Sequence, residues 1–185
     1  MQEIDYTLST EKSPFSFSNK VGRVFWGISY WILFRPFSFD IFREWRSSVL
    51  KAFGAKIGSG TNVRATVKIW APWNLEIGKS TSIGPGVDFY NQGKIVIGDE
   101  TIISQKTYLC ASSHDFRLKN FPLVRKPITI GDKVWIAADS FIGPGASIAT
   151  GAVVGARAAV FKNIEAWTVV GGNPATYIKK REILP

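Results

Sequence analysis

Aliphatic residues recur at every sixth position through most of the chain after Gly54. This period fits neither an α-helix nor an alternating strand. It is typical of a solenoid whose coils have flat faces, each a short strand with one aliphatic side chain inside. The pattern predicts a mainly β, parallel β-helix. Four frames carry the period: Ile57, Val63, Ile69 and Leu75; Ile77, Ile83, Phe89 and Ile95; Ile97, Ile103 and Leu109; and Ile130, Ile136, Ile142, Ile148, Val154 and Val160.

The frame slips by two residues where one series ends and the next begins. This happens at Leu75-Glu76-Ile77 and at Ile95-Val96-Ile97, and Ile128-Thr129-Ile130 repeats the pattern where the last frame starts. A slip that recurs in the same form predicts coils of one architecture with small insertions at one corner.

The residues before Gly54 have a helical pattern instead. A first helix is predicted from Lys20 to Phe34, ending before Pro36 because proline restricts the residue before it and lacks a donor. A second is predicted from Phe39 to Phe53 with Ser38 as its N-cap. Gly54 suits the left-handed position that follows a helix.

These patterns divide the chain into segments. Residues 1–54 are predicted to form an N-terminal arm with helices, and 55–178 to form the solenoid domain. Residues 115–127 interrupt the repeat as an excursion loop. Residues 179–185 are predicted to be a basic tail.

Composition narrows the class of protein. With 45% hydrophobic and 20% charged residues the chain is globular, and its net charge of +9 suggests an anionic partner. One cysteine permits no intrachain disulfide, in keeping with a cytoplasmic location. The apolar stretch Val24–Phe34 is shorter than the roughly 20 residues that span a bilayer, which predicts a buried or interfacial helix.

The only histidine, His114, stands where the repeat breaks off. Histidine suits general base catalysis because its reference pKa of about 6.5 leaves much of it neutral near pH 7. Asp88, Tyr90 and Asn91 lie about one coil earlier, so they are predicted to stack near it and contact an acceptor, as is Asp115. Cys110 offers a covalent alternative, although a lone cysteine inside a repeat is usually a packing residue.

Several segments resemble the hexapeptide repeats of the left-handed β-helix acyltransferases. The segments are Ile57–Asn62, Ile83–Asp88, Ile142–Ser147 and Val154–Ala159, and Val170–Lys179 resembles the way that family closes its last coil. The resemblance covers residues 55 to 181. It implies a left-handed solenoid, which general handedness rules do not predict.

A closer resemblance is to the colanic acid biosynthesis acetyltransferases, bacterial relatives of the maltose and galactoside O-acetyltransferases. It is carried by Phe34–Pro36, Ile69–Leu75, Tyr108–Asp115 and Trp135–Asp139. It implies transfer of acetyl from acetyl-CoA to a sugar or lipid-linked sugar in exopolysaccharide biosynthesis, with His114 as the general base and no metal. The asparagine that galactoside-type relatives use near the base falls on Gly84, so its role is not carried over.

The resemblance also implies a homotrimer that binds acetyl-CoA in grooves between subunits. Each position has a plain alternative, since an alanine can simply belong to the repeat and a lysine can simply be solvated. The implied CoA contacts are Trp135 as a packing surface, Ala138 and Ala156 through their backbone, and Lys162 and Lys179 toward the phosphates.

Three other functions stay open at this stage. An aminosugar acceptor would need the same fold and a similar base. Zinc chemistry of the γ-carbonic anhydrase type needs three histidines, and the chain has one. A non-catalytic scaffold is compatible with the charge, but nucleic acid binding is disfavoured because aromatic residues cluster near the N-terminus instead of alternating with basic ones.

The aromatic residues of the predicted helices have two compatible interpretations. They could cap the first coil of the solenoid, which otherwise exposes backbone and core. They could also rest on the inner face of a membrane, helped by Arg23 and Arg35. The residues concerned are Trp26, Tyr30, Trp31, Phe34, Phe37 and Trp45.

Overall fold

The computed structural model describes residues 14–183 as a parallel β-solenoid preceded by two helices. Helix α1 (Phe17–Ser29) continues as a π-helical turn (Tyr30–Phe34), and a 3-10 turn (Asp40–Phe42) leads into α2 (Arg43–Ala52). The strands are β1 (Lys56–Ile57), β2 (Asn62–Val63), β3 (Lys68–Ile69), β4 (Leu75–Ile77), β5 (Ser82–Ile83), β6 (Asp88–Tyr90), β7 (Ile95–Ile97), β8 (Ile102–Ile103), β9 (Tyr108–Cys110), β10 (Ser112–His114), β11 (Leu123–Arg125), β12 (Ile128–Ile130), β13 (Trp135–Ile136), β14 (Phe141–Ile142), β15 (Ser147–Ile148), β16 (Val153–Val154), β17 (Ala159–Val160), β18 (Thr168–Gly171) and β19 (Thr176–Lys180).

The coils stack into three sheets, one for each flat face of the solenoid. Sheet A has the order β1-β4-β7-β12-β15, sheet B has β2-β5-β8-β13-β16-β18-β19, and sheet C has β3-β6-β9-β14-β17. All neighbours within these sheets are parallel except β18 and β19. The predicted parallel solenoid is confirmed.

Aliphatic residues of successive coils lie directly above one another inside the solenoid. In sheet B, for example, Val63 pairs with Ile83, which pairs with Ile103. Each of the three is fully buried. The predicted six-residue period is therefore the step from one face to the next.

The frame slips arise from wider strands on sheet A. Leu75 and Ile77 both point inward, while Glu76 between them points outward, and β7 and β12 repeat this arrangement. The extra residues lie at the corner between sheets C and A, where the 3-10 turn Pro72–Asn74 precedes β4. The slip thus marks insertions at one corner, as its recurrence predicts.

Side chains at the corner between sheets A and B tie each coil to the next. Thr61, Thr81 and Thr101 each donate from Oγ to a carbonyl of the following coil, at 2.5, 2.7 and 2.8 Å. Asp132 accepts from the backbone N–H of Asp99 at 2.8 Å. These bonds satisfy backbone groups that the turn would otherwise leave unpaired.

The N-terminal helices differ in detail from the prediction. Helix α1 begins at Phe17, three residues before the predicted Lys20, because Ser16 Oγ accepts from the N–H of Asn19 at 3.2 Å and caps the helix. The predicted N-cap Ser38 is wrong, since Phe39 takes that position without a side-chain bond. Gly54 does adopt the left-handed conformation, with φ of +88°.

Helix α2 and part of α1 cover the first coil. The Trp26 indole donates to the carbonyl of Ile69 at 2.7 Å, which attaches α1 to the first strand of sheet C. Arg46 of α2 is fully buried and donates to the carbonyls of Val63 and Phe37 at 2.7 and 2.6 Å. These two side chains join both helices to the solenoid.

The other end of the solenoid is closed by the antiparallel pair β18 and β19. Strand β19 extends to Lys180, beyond the predicted boundary at Ile178, so the first two residues of the predicted tail belong to sheet B. Within residues 14–183, no helix has both the length and the hydropathy needed to cross a membrane.

Two adjacent isoleucines on β8 test which residues point into the core of the solenoid. Ile103 is fully buried and Ile102 is half exposed. We expect Ile103→Ala to lower the free energy of unfolding by about 2–5 kcal/mol, because it removes buried methyl groups and leaves a cavity. Ile102→Ala should cost less than about 1 kcal/mol. Denaturant titration of both variants measures the difference, and equal losses would contradict the assigned register.

Candidate active site

The excursion begins as an antiparallel hairpin that leaves the solenoid after sheet C. Strands β10 and β11 pair Ser112 with Arg125 and His114 with Leu123. Backbone bonds from Asp115 to Pro122 and from Lys126 to Ala111 hold its two ends. The hairpin therefore presents His114 from an ordered strand end, although the prediction places it just before an irregular loop.

The imidazole of His114 is held in one orientation by the loop itself. Its Nδ1 lies 2.5 Å from the carbonyl oxygen of Phe121. A carbonyl can only accept, so Nδ1 carries a proton, and in the neutral imidazole the lone pair is then on Nε2. The side chain is exposed, and this tautomer leaves Nε2 able to accept a proton from a bound group.

A cleft of about 650 Å³ lies between the hairpin and the outer surface of sheet C. Its walls combine the histidine and its neighbours with aromatic side chains of later coils. The lining residues are Cys110, Ser112, Ser113, His114, Asp115, Phe116, Arg117, Val124, Lys126, Phe141, Pro144 and Phe161.

Asp115, a predicted acceptor contact, lies in this cleft and is paired with Arg117. Two guanidinium bonds of 2.8 and 2.7 Å and the Arg117 N–H reach its carboxylate. These bonds lower the pKa of Asp115 to about 2. The carboxylate is therefore charged at any physiological pH and is a weak base, which suits binding better than proton transfer.

Asp88 and Tyr90, two further predicted contacts, lie on the outer surface of β6, one coil before Cys110. Both side chains are half-buried, and Tyr90 pairs in register with Cys110. Burial raises the pKa of Asp88, while Lys68, 3.8 Å away, opposes the shift. Tyr90 adjoins the cleft through Cys110, and Asp88 lies toward the N-terminal helices, where it also acts on Tyr30.

Asn91 does not take the position predicted for it. It is fully buried, and its Oδ1 accepts from the N–H groups of Trp70 and Ala71, each at 3.0 Å. Its Nδ2 donates to the carbonyl of Ala71 at 2.6 Å. The amide is occupied by the backbone of the preceding coil, so Asn91 supports the corner and is not available to an acceptor.

Gln92 is a candidate that the prediction missed. Its Nε2 donates to the Tyr90 hydroxyl at 2.7 Å, and only 7% of its surface is exposed. Its Oε1 is buried and has no hydrogen-bond partner among the residues that the structure describes. Buried oxygens are nearly always bonded, so this one is an exception that makes Gln92 worth testing. The repeat pattern gives no sign of it, because Gln92 lies in a corner insertion.

Cys110 lines the cleft but is not arranged as a nucleophile. Its thiol donates to the carbonyl of Ser112 at 3.1 Å. A reactive thiolate needs a nearby base or positive charge to lower its pKa. This contact is with a carbonyl oxygen, which supplies neither a positive charge nor a histidine-like base.

The predicted CoA contacts divide among three regions of the solenoid. Ala138 and Ala156 occupy equivalent places in successive coils at the corner between sheets B and C, since the Arg157 N–H donates to the Ala138 carbonyl at 2.9 Å. Trp135 projects from sheet B, with its indole donating to Ser104 Oγ at 3.0 Å. The outer surface of this sheet also carries Lys179, on β19.

Lys162 follows β17 and lines a smaller cavity of about 310 Å³ near the closed end. The predicted CoA residues thus do not share one surface of the chain. Among residues 14–183, no group of three or more histidine, cysteine or acidic side chains is placed to hold a metal ion.

Comparisons with known proteins show what the whole chain is similar to. No protein-family model matches the chain. An Escherichia coli protein provisionally named colanic acid biosynthesis acetyltransferase WcaF is 45% identical over 142 residues, which cover 77% of this chain and 78% of that protein.

Two solved structures share the fold. A galactoside acetyltransferase in complex with coenzyme A has a TM-score of 0.82 and 25% identity, covering 92% of this chain and 86% of its own. A hexapeptide-repeat acetyltransferase of Vibrio cholerae, solved with acetyl-CoA, has a TM-score of 0.84 and 24% identity, covering 94% of each chain. The second likeness shows the fold alone.

Proposed function

The chain belongs to the colanic acid biosynthesis branch of the hexapeptide-repeat acetyltransferases, and from this premise we propose that it moves an acetyl group from acetyl-CoA to a sugar hydroxyl during synthesis of an exopolysaccharide. The observation that carries the proposal is the His114 imidazole, whose Nε2 is free to accept a proton at the edge of a cleft. The CoA-bound galactoside acetyltransferase of similar fold supports the choice of donor.

The reaction that follows is a direct transfer. Nε2 of His114 takes the proton of the acceptor hydroxyl as its oxygen attacks the thioester carbon. The Nδ1–H bond to the Phe121 carbonyl stabilises the imidazolium that forms. When the tetrahedral intermediate collapses, the carbon–sulfur bond breaks and Nε2 returns the proton to the CoA sulfur. The product is an acetyl ester, and the base is restored.

We assign acceptor binding to the surfaces beside His114. Asp115 is a permanent anion that can accept from sugar hydroxyls. We extend the acceptor surface through Tyr90 to Gln92, whose Oε1 is buried without a partner among the described residues. Tyr90 holds the Gln92 amide and contributes an aromatic surface. Asp88 extends this polar surface toward the helices.

We propose that each site is completed between two copies of the chain in a homotrimer. The support is the separation of the predicted CoA residues from His114, because Trp135 and Lys179 project from sheet B whereas the His114 cleft lies over sheet C. Ala138 and Ala156 would give the pantetheine arm close access to the backbone. Lys162 and Lys179 would attract its phosphates.

The first test is replacement of the base. We expect His114→Ala to lower acceptor-dependent release of the CoA thiol at least about 100-fold. Cys110→Ala is the matched control within the same cleft and should stay within about threefold of the parent, because direct transfer needs no thiol. Thiol release with acetyl-CoA and a panel of free, nucleotide-linked and lipid-linked sugars measures both. Activity that survives in His114→Ala would overturn the mechanism.

A second test concerns Gln92 Oε1, the buried oxygen without a hydrogen-bond partner among the described residues. Gln92→Met keeps the length of the side chain and removes both the unbonded Oε1 and the Nε2 bond to the Tyr90 hydroxyl. We expect the acceptor KM to rise about tenfold or more, with the acetyl-CoA KM unchanged, while the free energy of unfolding falls by less than about 1 kcal/mol or rises. A variant that loses stability but binds the acceptor normally would assign Gln92 to the fold alone.

A third test concerns the shared site. His114→Ala and Ala156→Trp should each disable every site when present alone. The first removes the proposed base, and the second places an indole where the pantetheine arm is proposed to lie. If His114 and Ala156 come from neighbouring subunits, every trimer that contains both variants has one restored site of its three, so the purified mixed particle should have about a third of the parent activity. The mixed particle is purified through two different tags, and light scattering gives its mass. A mixture no more active than either parent would place each site within one subunit.

A further inference from the structure

Helix α1 and the following turn carry large apolar side chains on both sides, but only one side is covered. Trp26 and Phe34 are buried in the core. On the opposite side, Phe25, Trp31 and Ile32 are exposed to 62, 68 and 62%. We call this surface the apolar face of α1; it consists of Val24, Phe25, Ile28, Trp31 and Ile32.

The apolar face is continuous along the helix. Its members are spaced so that Val24, Ile28 and Trp31 follow one line and Phe25 and Ile32 the line beside it. Phe17, at the start of α1, is also exposed and extends the first line. Contiguous apolar surfaces of this kind mark contact with a protein or a membrane, whereas single exposed residues do not.

Charge near the apolar face favours one of these partners. Residues 17–39 contain no acidic side chain and include Lys20, Arg23 and Arg35. The nearest acidic residues along the chain, Asp40 and Glu44, are each paired with an arginine. A positive rim suits an anionic lipid surface, whereas two copies of this face packed together would bring like charges close.

The attachment of α1 also suits a membrane surface. The Trp26–Ile69 bond fixes the helix against the solenoid, and Arg23 stacks over Trp70 at 4.4 Å from its ring. The described helices are too short or too polar to span a bilayer. A helix held in this way presents its outer side along its whole length, as a helix that lies in the membrane interface does.

We propose that the apolar face of α1 docks the enzyme on the surface of an anionic phospholipid membrane. The side chains of the face enter the boundary between head groups and acyl chains, and Lys20 and Arg35 contact lipid phosphates. This inference goes beyond the acetyl transfer proposed above and does not depend on it.

Vesicle flotation of the full chain tests the proposal. We expect binding to vesicles of phosphatidylethanolamine with about a quarter phosphatidylglycerol, and at least about tenfold weaker binding to neutral phosphatidylcholine vesicles. Ile32→Glu should weaken binding to the anionic vesicles at least about tenfold, because it places a carboxylate in the apolar face.

The matched control is Ile183→Glu. Ile183 is exposed to 66%, close to the value for Ile32, but lies at the opposite end of the chain. Both variants change the net charge equally, so a loss confined to Ile32→Glu isolates the face from general electrostatic attraction. An unchanged melting temperature and an unchanged rate with a soluble acceptor show that Ile32→Glu is folded.

Two outcomes would overturn the proposal. Parent protein that does not float with either vesicle, or an Ile32→Glu variant that floats as well as Ile183→Glu, would show that the face does not contact lipid. A lower particle mass of Ile32→Glu in light scattering, without vesicle binding by the parent, would assign the face to contact between copies of the chain.

Discussion

The vertical register of the inward aliphatic residues is the constraint on which the rest of the structure depends. Each coil adds one buried side chain per face and pairs with the coil before it, so a coil that loses register loses both its packing and its backbone bonds. The register survives the excursion: Ile97 on β7 pairs directly with Ile130 on β12 although the whole hairpin lies between them. The hairpin that carries His114 is therefore an addition to a stack that is already complete without it.

This constraint explains which parts could be predicted from the sequence. The ladders are visible because Ile103 and its equivalents must be apolar in every coil. The corners are harder to predict from the sequence. The residue with left-handed backbone conformation between sheets A and B is glycine in some coils and Ser80, Glu100, Lys133 or Trp167 in others. Stacking bonds on both sides hold these residues in a conformation they would rarely adopt alone.

For the same reason, the sequence indicates some candidate site residues more clearly than others. His114 could be singled out as a candidate because it stands at a break in the repeat. Asn91 and Gln92 are neighbours in one corner insertion, yet the first serves the backbone and the second carries an oxygen without a partner. The hydrogen bonding of each amide depends on which groups of the previous coil face it. The order of residues along the chain does not show which groups those are. The division of the predicted CoA residues between a corner and sheet B likewise follows from the path of the coils.

The corner that carries Ala138 and Ala156 presents equivalent backbone groups at a regular spacing. The carbonyls of Pro85, Gln105 and Ala138 each accept from the coil that follows, so equivalent groups recur at intervals of about 4.8 Å. An extended ligand lying along this edge meets nearly the same backbone at every step. Moving the ligand along the edge by one coil would therefore change its backbone contacts little. Its position would be fixed by side chains that differ from one coil to the next, such as Gln105. In such a protein, tight binding of a long substrate does not by itself fix its position along the row of coils.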